Sequence, residues 1–148
     1  MAISAVDPVF LDTNILVYAN VVSAPWHKET QARLNQLWDA GHPLWISRQV
    51  LREYLAVLTR PQTFSQPQPT AVVAERARFF ASQFQVAEES ALVTENLLTL
   101  ATTLEVKGRQ IHDANIVATM QASGIAHLLT HNGDDFKRYA HLITIMPL

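Results

Sequence analysis

The sequence predicts an α/β protein, built on a central, mainly parallel sheet with helices on both faces. Two observations carry this reading. Short apolar runs of strand character alternate with longer segments of helical periodicity along the whole 148-residue chain, the order that builds β-α-β units. The first run, Val9 to Leu11, is continuously apolar rather than alternating, as expected of a strand buried on both faces.

Taken in order, that first strand runs straight into Asp12, Thr13 and Asn14, and "ILVYANVV" continues as a short apolar helix. "PWHKETQARLNQLWDAGHP" reads as a helix from near Pro25 to near Gly41, with proline early and glycine late as helix ends prefer. "LWIS" (Leu44 to Ser47) is a second strand, and Ser47 caps the helix "RQVLREYLAVLTR", which Pro61 stops. The Pro- and Gln-rich connection "PQTFSQPQP", residues 61–69, is too short to divide domains. Helical periodicity resumes in "TAVVAERARFFASQF", a third strand fits "QVAEE", and Ser90 caps "ALVTENLLTLATTLEV". A break at Gly108 leads to the helix "IHDANIVATMQASG". "AHLLTHN" is a fourth strand, "DDFKRYA" a short helix and "LITIMP" the last strand. No repeat or low-complexity tract interrupts this order, and residues 1–148 are expected to form a single domain.

Composition narrows the function classes. With 49% hydrophobic and 16% charged residues the chain has the make-up of an ordinary globular protein. Its formal charge of −2 provides no broad basic field, so nucleic-acid binding has to come from a local cluster. There are no cysteines, which removes disulfides and thiolate metal sites and suits a reducing cytoplasm. The opening "MAISAVDPVF" lacks the basic start and apolar run of a secretory leader. No apolar stretch approaches the roughly 20 residues that span a bilayer. The expectation is a soluble cytoplasmic protein.

In a doubly covered parallel sheet, chemistry gathers beyond the carboxyl ends of the strands. Asp12 stands at such an end, although Asp-Thr-Asn before a helix also reads as an ordinary N-cap. Glu53 lies in a helix whose apolar face is Val50, Leu51, Tyr54, Leu55, Val57 and Leu58. At the helical repeat it falls about 40° beyond the Val57 edge, either a solvated boundary residue or a carboxylate at the rim of a cleft. Asp113 opens a helix, where an acid also compensates the dipole. Asn132 ends the fourth strand, and Asp134 and Asp135 come after it, past a turn signalled by Asn132-Gly133. His112 is set apart from any metal shell.

Together the acids mean more than they do singly. Carboxylates crowded into one cleft repel unless a counter-charge is present, and a hard divalent cation supplies one. Mg²⁺ or Mn²⁺ takes oxygen ligands and keeps several waters, a combination suited to water-mediated attack on a phosphodiester. Neither a G-x-S-x-G elbow nor a G-x-x-x-x-G-K-[ST] loop occurs.

"LDTN" near the start, a Glu in the helix after the second strand, "HDA" opening a late helix and "THNGDDF" near the end occur in this order. The order and spacing resemble a PIN domain, and within that family the VapC-type ribonuclease toxins of toxin–antitoxin systems, from about Val9 to Pro147. The resemblance implies a three-layer fold, Mg²⁺- or Mn²⁺-dependent RNA cleavage, homodimers and inhibition by a cognate antitoxin. It maps the family's acids onto Asp12, Glu53 and Asp113, with Asp12 and Asp113 as principal metal ligands and Glu53 positioning metal or water. The fourth position falls on Asn132, with Asp135 as the acid before Phe136. Arg48, Arg52, Lys107 and Arg109 are candidates for meeting phosphate, each set against plain solvation. The 61–69 connection lies where such proteins vary and is a candidate contact for substrate or partner.

Two rival readings stand beside this one. An aspartyl phosphatase also begins with a strand ending in Asp, but it needs a second Asp where Asn14 stands. A non-catalytic PIN-fold binding module would be expected to have lost acids that this chain retains.

Overall fold

The computed structural model describes residues 7–148; the reading of the first six residues as lacking a leader lies outside them. The strands are β1 (Val9–Leu11), β2 (Leu44–Ser47), β3 (Gln85–Ala87), β4 (His127–Leu129) and β5 (Thr144–Met146). The helices are α1 (Thr13–Asn20), α2 (His27–Asp39), α3 (Arg48–Leu58), α4 (Thr70–Gln83), α5 (Ala91–Thr103) and α6 (Gln110–Ser123). A 3-10 helix covers Gly133–Tyr139.

All strand pairs are parallel, in the order β3-β2-β1-β4-β5. The apolar run of β1 explains its place at the centre. Val9, Phe10 and Leu11 are fully buried, each side chain contributing roughly 1.5–3 kcal/mol of burial free energy. On one side Phe10 pairs with Trp45 and on the other with Leu128. The chain leaves β1 toward β2 and β3 and later returns on the other side as β4 and β5. The strand order therefore reverses between β1 and β4, and a crevice opens there, beyond their carboxyl ends.

Local chemistry sets some of the helix boundaries. The Ser47 hydroxyl accepts from the Val50 N–H at 3.3 Å and Ser90 from the Val93 N–H at 3.4 Å, as expected of N-caps. Helix α6 ends at Gly124, whose φ of 69° lies in the left-handed region that glycine enters without strain.

Several expected boundaries shift. Helix α2 starts at His27 rather than near Pro25, because Trp26 turns the chain in a left-handed conformation, φ 54°. The fourth strand stops at Leu129, so Asn132 lies in the turn after it. The segment around "DDFKRYA" is a 3-10 helix; its buried Phe136 and Tyr139 stand three residues apart, the repeat of that helix. Glu88 and Glu89 fall outside β3, and α5 ends at Thr103. Among the described residues no helix is long and apolar enough to cross a membrane.

Candidate active site

Asp12 follows β1 immediately, and its backbone N–H extends the ladder to Leu129 O at 3.1 Å. Thr130 follows β4 in the same way, and its hydroxyl donates to Asp12 Oδ2 at 2.8 Å. The two thus join hands across the point where the strand order reverses. Asp12 also accepts from the Thr13 N–H at 2.8 Å and from Asn14 Nδ2 at 3.2 Å. It is a helix cap, as its sequence context allows, yet only 6% of it is exposed. Burial pushes its carboxyl up to about 6, against the three hydrogen bonds that stabilise the charge; the neighbouring charge of Glu53 raises it further.

Glu53 reaches the same crevice from α3. Its Oε2 accepts from the Thr13 hydroxyl at 3.0 Å and its Oε1 from Gln49 Nε2 at 2.6 Å. Asp113 arrives from the first turn of α6. Its carboxyl is pushed up to about 7 by burial and then by the negative charges of Asp12, Asp135 and Glu53, with Arg138 opposing. Asp12, Glu53, Asp113 and Asn132 line one cleft of about 250 Å³, together with Thr13, Asn14, Val17, Tyr18, Gln62 and Phe64. A second groove of about 640 Å³ shares Glu53 and Asp113 and adds Arg52, Arg60, Arg109 and Asp135.

The fourth position divides accordingly. Asn132 faces the cleft of Asp12, whereas Asp135 faces the arginine groove and acts on Asp113 through its charge. Asp134 is exposed and paired with Lys137 at 2.7 Å. Of the four cations picked out by sequence, Arg52 and Arg109 line the groove. Arg48 points elsewhere, held by Glu88 at 2.6 Å, and Lys107 lines neither cleft. The exposed His112 contributes its backbone carbonyl, which accepts from Gln49 Nε2 at 2.8 Å.

Sequence reasoning passed over three kinds of residue. Arg60 lies two residues beyond the end of α3, so its place in the groove is set by the turn after the helix rather than by helical phase. Thr130 and Asn14 lock Asp12 and the turn: Asn14 Oδ1 accepts from the His131 N–H at 3.1 Å. Asn14 is thus engaged as a structural amide where a phosphatase would need its second acid. Gln49 is the third kind, a polar side chain only 2% exposed. Its Nε2 donates to Glu53 and to the His112 carbonyl, and its Oε1 accepts from Asn115 Nδ2 at 2.7 Å, so it ties α3 to α6 behind the carboxylates. Gln49→Leu is expected to cost about 1–3 kcal/mol by leaving buried polar partners unpaired, read as a lower urea midpoint.

Among the described residues no three acidic or imidazole groups are already gathered to hold one ion, and Glu53 gives its oxygens to Thr13 and Gln49 instead. The donor set nevertheless fits a hard divalent cation. It is all oxygen, and burial together with the neighbouring negative charges pushes up the carboxyls of Asp12 and Asp113, the condition that a bound cation relieves.

Comparison with known proteins gives concordant results. The model of the family described as PIN domain matches residues 9–142. Ribonuclease VapC24 of Mycobacterium tuberculosis is 29% identical over 128 residues, covering 85% of this chain and 87% of the relative. Ribonuclease VapC48 of the same organism is 25% identical over 130 residues, covering 86% and 89%. The crystal structure of VapBC2 from Rickettsia felis, bound to a DNA fragment from their promoter, superposes with a TM-score of 0.69. It is 25% identical and covers 94% of this chain and 97% of that one.

Proposed function

Given that this chain belongs to the PIN domain family, we propose that it is a divalent-metal-dependent endoribonuclease, the toxin of a VapBC-type toxin–antitoxin pair. The observation that carries the reading is the convergence of Asp12, Glu53 and Asp113 on one cleft, where two of the three carboxyls have raised pKa values. The ribonuclease names of its curated relatives support the reaction, and the VapBC2 complex of Rickettsia felis supports the partner class.

Asp12 and Asp113 would hold Mg²⁺ or Mn²⁺, with Glu53 orienting the ion or the attacking water. When bound, the ion supplies charge that neutralises the carboxylates, polarises the phosphate and makes water acidic enough to attack it. Thr130, Thr13 and Asn14 keep Asp12 in place by the hydrogen bonds described above. Glu53 must loosen its bond to Thr13 or Gln49 to turn inward. Asn132 offers a neutral amide oxygen and Asp135 an outer charge. Arg52, Arg60 and Arg109 meet backbone phosphates. The antitoxin, a homodimeric assembly and a one-domain organisation belong to the same proposal.

The test is cleavage of a structured RNA by the purified chain in Mn²⁺ or Mg²⁺, in excess EDTA, and after the ion is restored. The expected result is cleavage lost in chelator and recovered on add-back. Cleavage that persists in EDTA overturns the metal mechanism.

A further inference from the structure

Four aromatic rings form a row that starts inside the carboxylate cleft and leaves it. The Phe64 ring meets Tyr18 edge-on, with centroids 5.9 Å apart. Tyr18 meets His131 at 4.5 Å, and His131 stacks on Trp26 at 5.5 Å with an interplanar angle of 26°. Phe64 and Tyr18 line the cleft of Asp12, Glu53 and Asp113. Trp26 and His131 line the adjoining cleft of about 560 Å³.

The chain holds this row in place by specific means. The Ser23 hydroxyl donates to Phe64 O at 2.5 Å, and the Gln68 N–H to Leu58 O at 2.8 Å. These bonds fold the 61–69 connection back so that Phe64 reaches Tyr18. Trp26 adopts φ 54°, a left-handed conformation that costs free energy in any residue but glycine, and still leaves 59% of itself exposed. The turn also starts α2, where the Trp26 carbonyl accepts from the Thr30 N–H at 2.9 Å and from the Thr30 hydroxyl at 2.7 Å. Across the carboxylates from this row lies the groove of Arg52, Arg60 and Arg109.

We propose that the row Phe64–Tyr18–His131–Trp26 is a base-stacking ledge, on which an unpaired RNA strand lays successive bases beside the phosphate to be cut. The proposal rests on the ribonuclease reading above and adds which side chains hold the bases: the rings of Phe64, Tyr18, His131 and Trp26, beside the carboxylates. One base lies against Tyr18 and Phe64, in a cleft of about 250 Å³ with room for a single planar base. The next lies against the exposed ring of Trp26. The phosphates, with no use for an aromatic surface, turn toward the arginines on the other side. A duplex keeps its bases inside its own stack and offers the ledge nothing to bind.

The test is fluorescence anisotropy with the full chain carrying Asp113→Asn, so that the RNA stays intact. The probes are a short single-stranded RNA, an abasic ribose-phosphate oligomer of equal length, and the same RNA paired to its complement. The single strand is expected to bind about tenfold or more tightly than either of the others. Phe64→Leu and Trp26→Leu, which keep an apolar side chain, are each expected to weaken single-strand binding about five- to tenfold and leave abasic binding unchanged. Equal affinity for the base-bearing and abasic oligomers overturns the ledge without recourse to any aromatic variant. So does unchanged single-strand binding by both leucine variants. If the unmutated chain neither binds nor cuts any RNA with metal present, the ribonuclease reading fails and the ledge with it. If it cuts paired and unpaired RNA equally well with metal, the ledge alone fails.

Discussion

Asp12→Asn and Asp113→Asn are each expected to reduce RNA cleavage by more than about 100-fold, beyond the range typical of outer partners at metal sites. Either substitution keeps the shape of the side chain and removes the charge that would face the ion. Asp12→Asn leaves an amide oxygen able to accept from the Thr13 N–H, so the α1 cap is largely kept. The new amide NH2 faces the Asn14 amide and the Thr130 hydroxyl that donate to Oδ2 in the parent, so a melting curve of each variant separates loss at the site from loss of folding. Asp135→Asn is expected to cost only about tenfold, as an outer charge, and Asn132→Asp to preserve activity while tightening metal binding. Single-turnover cleavage with Mn²⁺ titration measures all four. If Asp135→Asn is as inactive as Asp113→Asn while still folded, Asp135 is the fourth acid and Asn132 a bystander.

Saturating Mn²⁺, at a hundred times its dissociation constant, is expected to stabilise the chain by about 2.7 kcal/mol. For a protein of this length that is a melting shift of roughly 5–10 °C. The shift should depend on pH in a defined sense. Asp12 and Asp113 have folded pKa values of about 6 and about 7, above the ordinary value of 3.8. Between those limits the native state binds more protons than the unfolded chain, so stability falls as pH rises. The penalty is full above about pH 7 and absent below about pH 4. Metal relieves it and competes with the same protons. The Mn²⁺-induced shift is thus expected to be largest near pH 8 and to fade toward pH 5, and in EDTA this pair contributes more stability at pH 5 than at pH 8. Asp12→Asn is expected to melt no lower than the parent in EDTA at pH 8 and to lose most of the Mn²⁺ shift. Differential scanning fluorimetry across pH, with and without metal, checks each of these. A shift of equal size at pH 5 and pH 8 would place the ion away from these carboxylates.

The architecture was legible because β1 states its position in its own residues. Three apolar side chains in succession, ended by an acid, describe a central parallel strand and its carboxyl tip, and the structure has both. Glu53 and Asp113 were legible by helical phase and by position in a first turn, and they meet Asp12 at one cleft. What failed was decided by contacts distant in sequence. Pro25 promised a helix start, but the chain turns one residue later, where Trp26 stacks on His131 from the turn after β4. Gln49 looks like a surface residue until α6 brings Asn115 and the His112 carbonyl against it. Arg48 and Arg52 have the same local character, and each meets an acid on the connection after β3; Glu88 holds Arg48 at 2.6 Å, away from the groove, whereas Glu89 meets Arg52 at 3.5 Å and leaves it lining the groove. The aromatic row was invisible for the same reason, since its four rings come from α1, the turn before α2, the 61–69 connection and the turn after β4.

The most direct measurement is anomalous diffraction from crystals of the chain soaked in Mn²⁺. The expected result is a peak in the cleft between β1 and β4, at about the 2.0–2.2 Å range of hard-cation oxygen ligands from the carboxylates of Asp12 and Asp113, with Glu53 turned away from Thr13 or Gln49 and toward the ion or its water. A peak elsewhere, with Asp12 and Asp113 unliganded in a protein that still cleaves RNA only when Mn²⁺ is present, would contradict the assignment.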